Sequence, residues 1–522
     1  MNILILIFCI LYFILAYKRL DWAVMFIIAA LPSYLIRFSI FNIPFTLLEA
    51  MILIAFFVWF SSNYKEIINN IKLRSKNNWK LEIACPLFAR GKADGRRGNW
   101  KLSRYPFDIE IVLLLIISYL ATAVSGFNFS ALGIWKAYFF EPVLFFILVL
   151  NIFNSKKGID KIIFSLSVSA FLVSVFAIYQ KFTGAFIFNE LWAATSTRRI
   201  TSFFGYPNAV GLYLGPAVLL LLGWIASKIS NYKIQRHLLQ NKKLNFQFST
   251  RLPDGQVSNS KIIYIKILAI ILTLILAIMA IYFARSEGAL IGIILGLIIF
   301  GLLTNKKSLW ATIFFIIVVT VGIFLYQPAE EYILNKLLLR DLSGQIRRQQ
   351  WQETWQMLSD GRIITGAGLA NYQKTLVPYH TDGFFVRDYK DPDWHKKTLF
   401  NEAYRKKVWQ PLEIYLYPHN IFLNFWSELG IAGMLLFIWI FIKFYYLGIK
   451  LFRISDFRFR ISKNNQSDKF MIIGLLGSMA VFLVHGLVDV PYFKNDLAAV
   501  FWILISILGI IKISEEYKQN GG

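Results

Sequence analysis

The chain has 522 residues, 57% of them hydrophobic and 17% aromatic, more apolar side chain than a soluble domain of this size carries. The formal net charge is +25, from 55 Lys and Arg against 30 acids. In so apolar a chain that excess reflects cytoplasmic loops collecting Lys and Arg, so no nucleic-acid partner is expected. The apolar runs are continuous over 17 to 25 residues rather than alternating in short segments, which excludes a β-barrel. The expected fold class is all-α: a polytopic membrane helical bundle of about 12–14 transmembrane helices. Spans are predicted near 2–17, 22–40, 44–60, 108–126, 131–153, 160–181, 208–227, 262–284, 287–304, 308–326, 420–443, 470–489 and 496–514. The N-terminal run lacks a basic leader and a small-residue cleavage pattern and reads as a retained helix. Cys9 lies in an apolar run and Cys85 in a basic loop, a pattern that supports neither a disulfide framework nor a cysteine metal site.

The loops orient the spans. Segment 61–107 holds eleven Lys and Arg against three acids, 227–261 seven against one, and 443–469 seven against two. All three are predicted to be cytoplasmic, and Lys156-Lys157 and Lys306-Lys307 fall on the same side in an alternating count. The organisation expected is N-terminal helices over 1–60, a basic cytoplasmic loop over 61–107, a membrane core over 108–326, a large external loop domain over 327–419, and C-terminal helices with a cytoplasmic tail over 420–522. The 327–419 segment is long for a loop and rich in aromatics, including Trp351, Trp355, Tyr372, Trp394 and Trp409, so disorder is not expected of it. Ile346, Trp351, Trp355 and Leu358 keep near-helical spacing, which predicts an amphipathic helix at the membrane surface.

Four polar sites fall on the predicted external side: Arg198-Arg199 before one span, Arg285 at a hairpin between two, Arg347-Arg348 on the amphipathic helix, and His419-Asn420 where the long loop enters a span. Arginine between membrane helices is costly and marks function, although Arg285 could equally snorkel to headgroups or pair with Glu287. Asn420 alone reads as a helix N-cap. Taken together, three arginine sites suit an anion, because guanidinium groups bind phosphate oxygens in a fork and stay charged. At an outer membrane face the diphosphate of a lipid carrier is the expected anion. No HExxH and no Gly-rich P-loop is seen, and neither a metal nor another cofactor is expected. A histidine titrating near neutral pH suits general-base work. Glu428 and Asn420 are expected to support the site rather than react, and His485 is a weaker candidate.

The set formed by Arg198/Arg199 before Phe203-Phe204-Gly205-Tyr206-Pro207-Asn208, Ala284-Arg285-Ser286-Glu287-Gly288, Arg347-Arg348-Gln349-Gln350-Trp351 leading to Ile364-Thr365-Gly366-Ala367-Gly368-Leu369, and Pro418-His419-Asn420 with Glu428-Leu429-Gly430-Ile431-Ala432-Gly433 resembles the O-antigen ligase and polymerase superfamily over about 190–490. The resemblance implies a GT-C-like membrane glycosyltransferase of the inner (plasma) membrane. Such an enzyme moves a glycan from undecaprenyl diphosphate to a hydroxyl on a glycan, lipid or protein acceptor at the external face, without a metal. It implies that Arg198, Arg199, Arg285, Arg347 and Arg348 hold the donor diphosphate and that His419 is the base or positions the acceptor. The hairpin departs from the commoner Ser-Arg-Gly: Ala284 precedes Arg285, and Ser286-Glu287 separate it from Gly288. A transporter for lipid-linked glycan would use the same arginines, but would carry internal repeats and paired broken helices. If the orientation holds, single cysteines placed at 240 and 460 stay unlabelled by an impermeant reagent in intact cells, and cysteines within 182–207 and 327–419 label. Labelling at 240 or 460 would reverse the sides.

Overall fold

The computed structural model describes residues 3–40, 43–76, 105–244, 254–461 and 468–519. Helices α1 (Ile3–Lys18) and α2 (Leu20–Ala29) open the chain, followed by a 3-10 turn over Leu31–Leu35 and a hairpin of β1 (Arg37–Ile40) and β2 (Ile43–Thr46), with Arg37 opposite Thr46. The span expected over 22–40 is therefore not one helix. Pro32 opens the 3-10 turn, and its missing N–H and fixed φ end the α-helical bonding there.

Helices α3 (Leu47–Lys76), α4 (Asp108–Val124), α5 (Phe129–Trp135) and α6 (Glu141–Ile152) follow, α5 and α6 being joined by a π-turn over Lys136–Phe140. Next come α7 (Lys156–Thr183), the short α8 (Glu190–Ala193), α9 (Pro207–Leu244), α10 (Asp254–Ala284), α11 (Glu287–Thr304) and α12 (Lys306–Leu325). Among the described residues ten helices are long and apolar enough to cross a membrane, and α1 and α2 are shorter apolar helices. The protein is a multi-pass helical membrane protein. The basic segments are less loop-like than expected, because α3, α9 and α10 run on into them as helix. Their Lys, Arg, Leu and Gln are good helix formers. Cys85 lies outside the described residues.

Between α12 and the next span lie α13 (Gln327–Leu337), α14 (Leu342–Ser359), α15 (Tyr372–Leu376), β3 (Gly383–Phe385), α16 (Trp394–Phe400), α17 (Glu402–Val408) and β4 (Trp409–Pro411), with β3 and β4 antiparallel. The chain ends with α18 (Ile421–Ile461), α19 (Lys469–Gly486) and α20 (Asn495–Gln519). The amphipathic helix expected from Ile346 to Leu358 is α14. The separate large loop domain is not seen. The only core that 327–419 builds for itself is a small cluster around Met357, Leu358, Ala367, Tyr372 and Leu376, while Leu369 packs into the main membrane core.

At the centre of the bundle α19 lies against α9 and α11. Gly223 and Gly474 face each other so closely that a Cβ on Gly223 would sit 2.7 Å from the Gly474 Cα. Small residues let membrane helices approach to backbone distance, where dispersion does the work that water does elsewhere. By contrast α12 buries none of its residues.

One break in the helical ladder positions the site. Within α18, Gly430 has φ 74° and ψ 179°, a region open essentially to glycine alone. The freed backbone is taken up by the segment before α15: Ile431 N–H donates to the Ile364 carbonyl at 3.2 Å and Ala367 N–H to the Ser427 carbonyl at 2.7 Å. Trp426 Nε1 donates to the Ile363 carbonyl at 2.7 Å, and Glu428 Oε2 accepts from Ala370 N–H at 2.6 Å. Gly366 docks over the Trp426 and Ser427 carbonyls. The first turns of α18 are thus bonded to the 363–370 segment as firmly as to the rest of their own helix. An alanine at Gly430 would meet the Ile364 carbonyl oxygen, and strain at such dihedrals alone costs about 1–3 kcal/mol. Gly430→Ala should therefore lower the melting temperature of the purified protein clearly, whereas Gly322→Ala, in the regular helix α12 with nothing within 4 Å of its added Cβ, should cost less.

Candidate active site

A helix ending at a membrane boundary leaves its last carbonyls without intrahelical partners, and the α19–α20 turn collects side chains for them. Asn420 Nδ2 donates to the Leu487 carbonyl at 3.1 Å and Arg347 Nε to the Val488 carbonyl at 2.9 Å. Asn208 Nδ2, at the start of α9, donates to Asp489 Oδ2 at 3.3 Å, and Asp489 Oδ1 accepts from Val490 N–H at 2.8 Å. Asp489 is only 1% exposed. Four stretches far apart in sequence, the turn itself included, meet here.

His419 stands over it. Its φ is 45°, a left-handed conformation uncommon outside glycine and worth asking a reason for. That backbone is held on both sides. Trp351 Nε1 donates to the Pro418 carbonyl at 2.8 Å, and Asn420 Oδ1 caps α18 by accepting from the Phe422 and Leu423 N–H groups at 3.0 and 3.1 Å. The cap expected of Asn420 is present, and its amide nitrogen does a second job on the α19 turn. The imidazole lies edge-on to Tyr415 and Tyr417, with centroids 5.0 and 5.3 Å away. Its Nδ1 is 3.1 Å from Gln350 Oε1. An amide oxygen only accepts, so Nδ1 carries the proton and Nε2 keeps a lone pair. Burial pushes the His419 pKa below its ordinary value; Asp489 pulls it back up and Arg347 pushes it further down. The ring is therefore neutral at neutral pH.

The arginines separate. Arg199 Nε donates to the Ala284 carbonyl at 3.1 Å and its Nη2 to Asn208 Oδ1 at 3.1 Å, which joins the α10–α11 hairpin to the Asn208–Asp489 pair. Burial and the neighbouring Arg285 hold its pKa below the ordinary arginine value, against Glu287. Arg285, at φ 51°, is exposed and its guanidinium makes no hydrogen bond among the described residues. Arg347 reaches the α19 turn. Arg198 and Arg348 point elsewhere. Arg198 Nη1 donates to the Lys181 and Phe182 carbonyls at 2.9 and 3.3 Å, closing the end of α7. Arg348 Nη2 donates to the Leu338 carbonyl at 2.7 Å, just past the end of α13, and its Nη1 donates to Tyr389 at 3.1 Å. The fold sends Arg347 to the His419 side of α14 and Arg348 to a different face of the helix. Glu428 lies in the α18 joint and not beside the His419 ring.

Several residues of this site carry no motif. Gln350 is buried and, among the described residues, its Nε2 has no hydrogen-bond partner; His485 Nδ1 and both polar atoms of Asn424 share that state. A Cβ on Gly288 would lie 2.7 Å from the His485 ring, so His485 sits under the Arg285 hairpin. Tyr206 and Tyr417 share a hydrogen bond of 3.1 Å, and the Lys494 ammonium lies 4.0 Å from the Tyr206 ring centroid. Burial lowers the Lys494 pKa, with Asp496 and Asp489 opposing. A polar residue within the last turn of an apolar span was the only available signal for His485; Gln350 stood inside the Arg347–Trp351 stretch with no role attached to it, and Asp489 had no signal.

The site thus offers a neutral imidazole with one free nitrogen, a free guanidinium at Arg285, remaining donors on Arg199 and Arg347, and buried polar atoms still unpaired. That set can accept a proton and bind an anion. No curated protein matches the chain. Residues 272–438, from within α10 through the break in α18, match the model of the family described as O-antigen ligase; this stretch contains Arg285, Arg347, Gln350, His419 and Asn420 but neither Arg199 nor Asp489. Through this segment the protein carries an O-antigen ligase family domain, and it is accordingly a glycan-transferring membrane enzyme.

Proposed function

We propose that the protein moves a glycan from an undecaprenyl-diphosphate carrier to an acceptor hydroxyl at the external membrane face, with inversion at the anomeric carbon. The observation that carries this reading is the contact of His419 Nδ1 with Gln350 Oε1 at 3.1 Å, from which the proton is assigned to Nδ1. It leaves Nε2 to take the acceptor proton as the hydroxyl oxygen bonds to the anomeric carbon. The bond from that carbon to the diphosphate breaks in the same step, and the diphosphate leaves with the electron pair. Arg285, with the remaining donors of Arg199 and Arg347, balances the charge that develops on it, in the way fixed donors stabilise a leaving group without reorganising. On this reading guanidinium groups do what a divalent cation does in other diphosphate chemistry, so no metal is needed. Arg198 and Arg348 are assigned to helix ends. The external loop segment and a GT-C-like arrangement fit this reading, since the ends of α7, α10, α12 and α19 and the starts of α9, α11, α18 and α20 all fall at the face where His419 lies. Ligase, polymerase and protein-glycosylating versions share this donor chemistry and differ in the acceptor.

His419→Ala should cost roughly 10²- to 10⁴-fold in single-turnover rate, the range for a lost general base, and leave donor affinity nearly unchanged in lipid-reconstituted protein. Arg285→Ala and Arg347→Ala should weaken donor binding as well as turnover, Lys should restore only part of it, and Arg198→Ala should act on stability more than on affinity. Full turnover in His419→Ala would reduce the tetrapeptide to a helix cap.

The pH dependence has a definite sign. The base must be unprotonated, and its pKa in the protein lies below the ordinary 6.5. Activity should therefore hold down to pH 6.5 and fall below it as His419 takes up a proton. Asp489 favours the charged ring, so Asp489→Asn should move the acid limb of kcat/KM to lower pH. A limb above 6.5 in the unaltered enzyme would contradict a buried neutral base.

A further inference from the structure

On the far side of α14 from His419 lies a cleft lined by Tyr332, Lys336, Arg340, Arg387, Tyr389 and Lys390 among others. Two of its lysines are already paired. Lys336 bridges Glu287 and Asp341 at 2.7 and 2.8 Å, and Lys390 pairs with Glu331 at 2.6 Å. The two arginines are not. The Arg340 and Arg387 guanidinium carbons each lie 4.9 Å from the centroid of the Tyr389 ring, and Arg387 is also 5.9 Å from that of Trp394. Among the described residues neither guanidinium makes a hydrogen bond or ion pair. Arg348 holds the same tyrosine by its hydroxyl at 3.1 Å. Two like charges brought to one aromatic ring repel each other, and stacking on the ring offsets only part of that. The planar forks keep their N–H edges free, which is the arrangement that receives a phosphate.

The depth of the cleft indicates what carries the phosphate. Tyr332 donates to Glu287 Oε1 at 3.2 Å and Lys336 reaches Oε2 of the same residue. Glu287 is the first residue of the span α11, so α13 is tied down to the membrane boundary. Leu334, Leu337, Leu338 and Leu342 stand exposed beside the cleft, as on a helix whose apolar edge enters the acyl boundary. We propose that this cleft binds the phosphate of a membrane lipid, at a site separate from the one around His419, with Arg340 and Arg387 as the ligands and Tyr389 as the plate that aligns them. Basic pockets at headgroup depth recognise lipid phosphates in this way. The phosphate belongs to a phospholipid of the bilayer or to a polyprenyl-linked lipid.

The test is native mass spectrometry of the full chain in detergent, titrated separately with phosphatidylglycerol, undecaprenyl diphosphate and trigalacturonic acid. Binding is compared between the unaltered protein, Arg340→Ala/Arg387→Ala, the corresponding Lys pair, and Arg347→Ala. Loss of two charge-assisted contacts should weaken the lipid roughly tenfold or more, with partial recovery in the Lys pair; Arg347→Ala, which acts at the His419 site, should weaken undecaprenyl diphosphate alone and leave phosphatidylglycerol binding unchanged. An effect on phosphatidylglycerol alone assigns the cleft to the bilayer, and an effect on undecaprenyl diphosphate alone assigns it to the carrier; both support the proposal. Unchanged lipid affinities overturn it, as does loss of trigalacturonic acid alone, which would make the cleft a saccharide site. Because the double variant could misfold, photoreactive phosphatidylglycerol and photoreactive undecaprenyl diphosphate are also cross-linked, separately, to the unaltered protein. Cross-links within 387–390 from at least one of the two are expected, and their absence from both at saturating lipid overturns the proposal.

Discussion

The structure turns on how unpaired carbonyls at helix ends are satisfied where water is scarce. The membrane helices α7, α10 and α19 end at the His419 face with such oxygens exposed, and long side chains from other elements answer them, as one does for the surface helix α13. Arg198 serves α7, Arg199 serves α10, Arg348 serves the end of α13, and Arg347 with Asn420 serves the turn after α19. A charged donor bonding a helix C-terminal carbonyl gains from the local dipole as well. The same bonds fix where the guanidinium groups stand, so the cost of ending helices at the boundary is offset by an array of cations at one face.

This double use explains why a paired motif such as Arg198-Arg199 cannot be assigned from order alone. Adjacent residues leave the backbone in different directions, and here one closes its own helix end while the other crosses to the α10–α11 hairpin. On α14 the same divergence follows from the helix itself, since Arg347 and Arg348 lie about 100° apart. One faces the imidazole and the other faces the Tyr389 cleft. The helix is a wall with a basic residue on each side.

The span pattern was legible because a continuous apolar run of this length has one interpretation. It misled at 22–40, where Pro32 cuts the run into a short helix and a hairpin, and at the basic segments, where Lys- and Arg-rich sequence continues as helix. His419-Asn420, Arg285 and Arg347 stood out because polar groups at a membrane boundary are conspicuous. Gln350 and Asp489 did not, since a glutamine on an amphipathic helix and an aspartate in a short turn are ordinary until the fold brings both to one histidine. The reading of 327–419 as a domain of its own failed for a related reason. Its composition is that of a folded segment, and it bonds extensively to itself, but its small core is completed by Leu423 and Trp426 of α18 and its Leu369 packs into the membrane core.

The break at Gly430 separates two functions of one span. In an unbroken helix, adding a residue in the membrane would rotate everything above it by about 100° and swing His419 out of line with Gln350. Here the φ and ψ of Gly430 reset the helical phase, and the turns above it take their register from the 363–370 segment. The part below can then change length, tilt or face to suit a thicker or thinner bilayer while the histidine keeps its bearing.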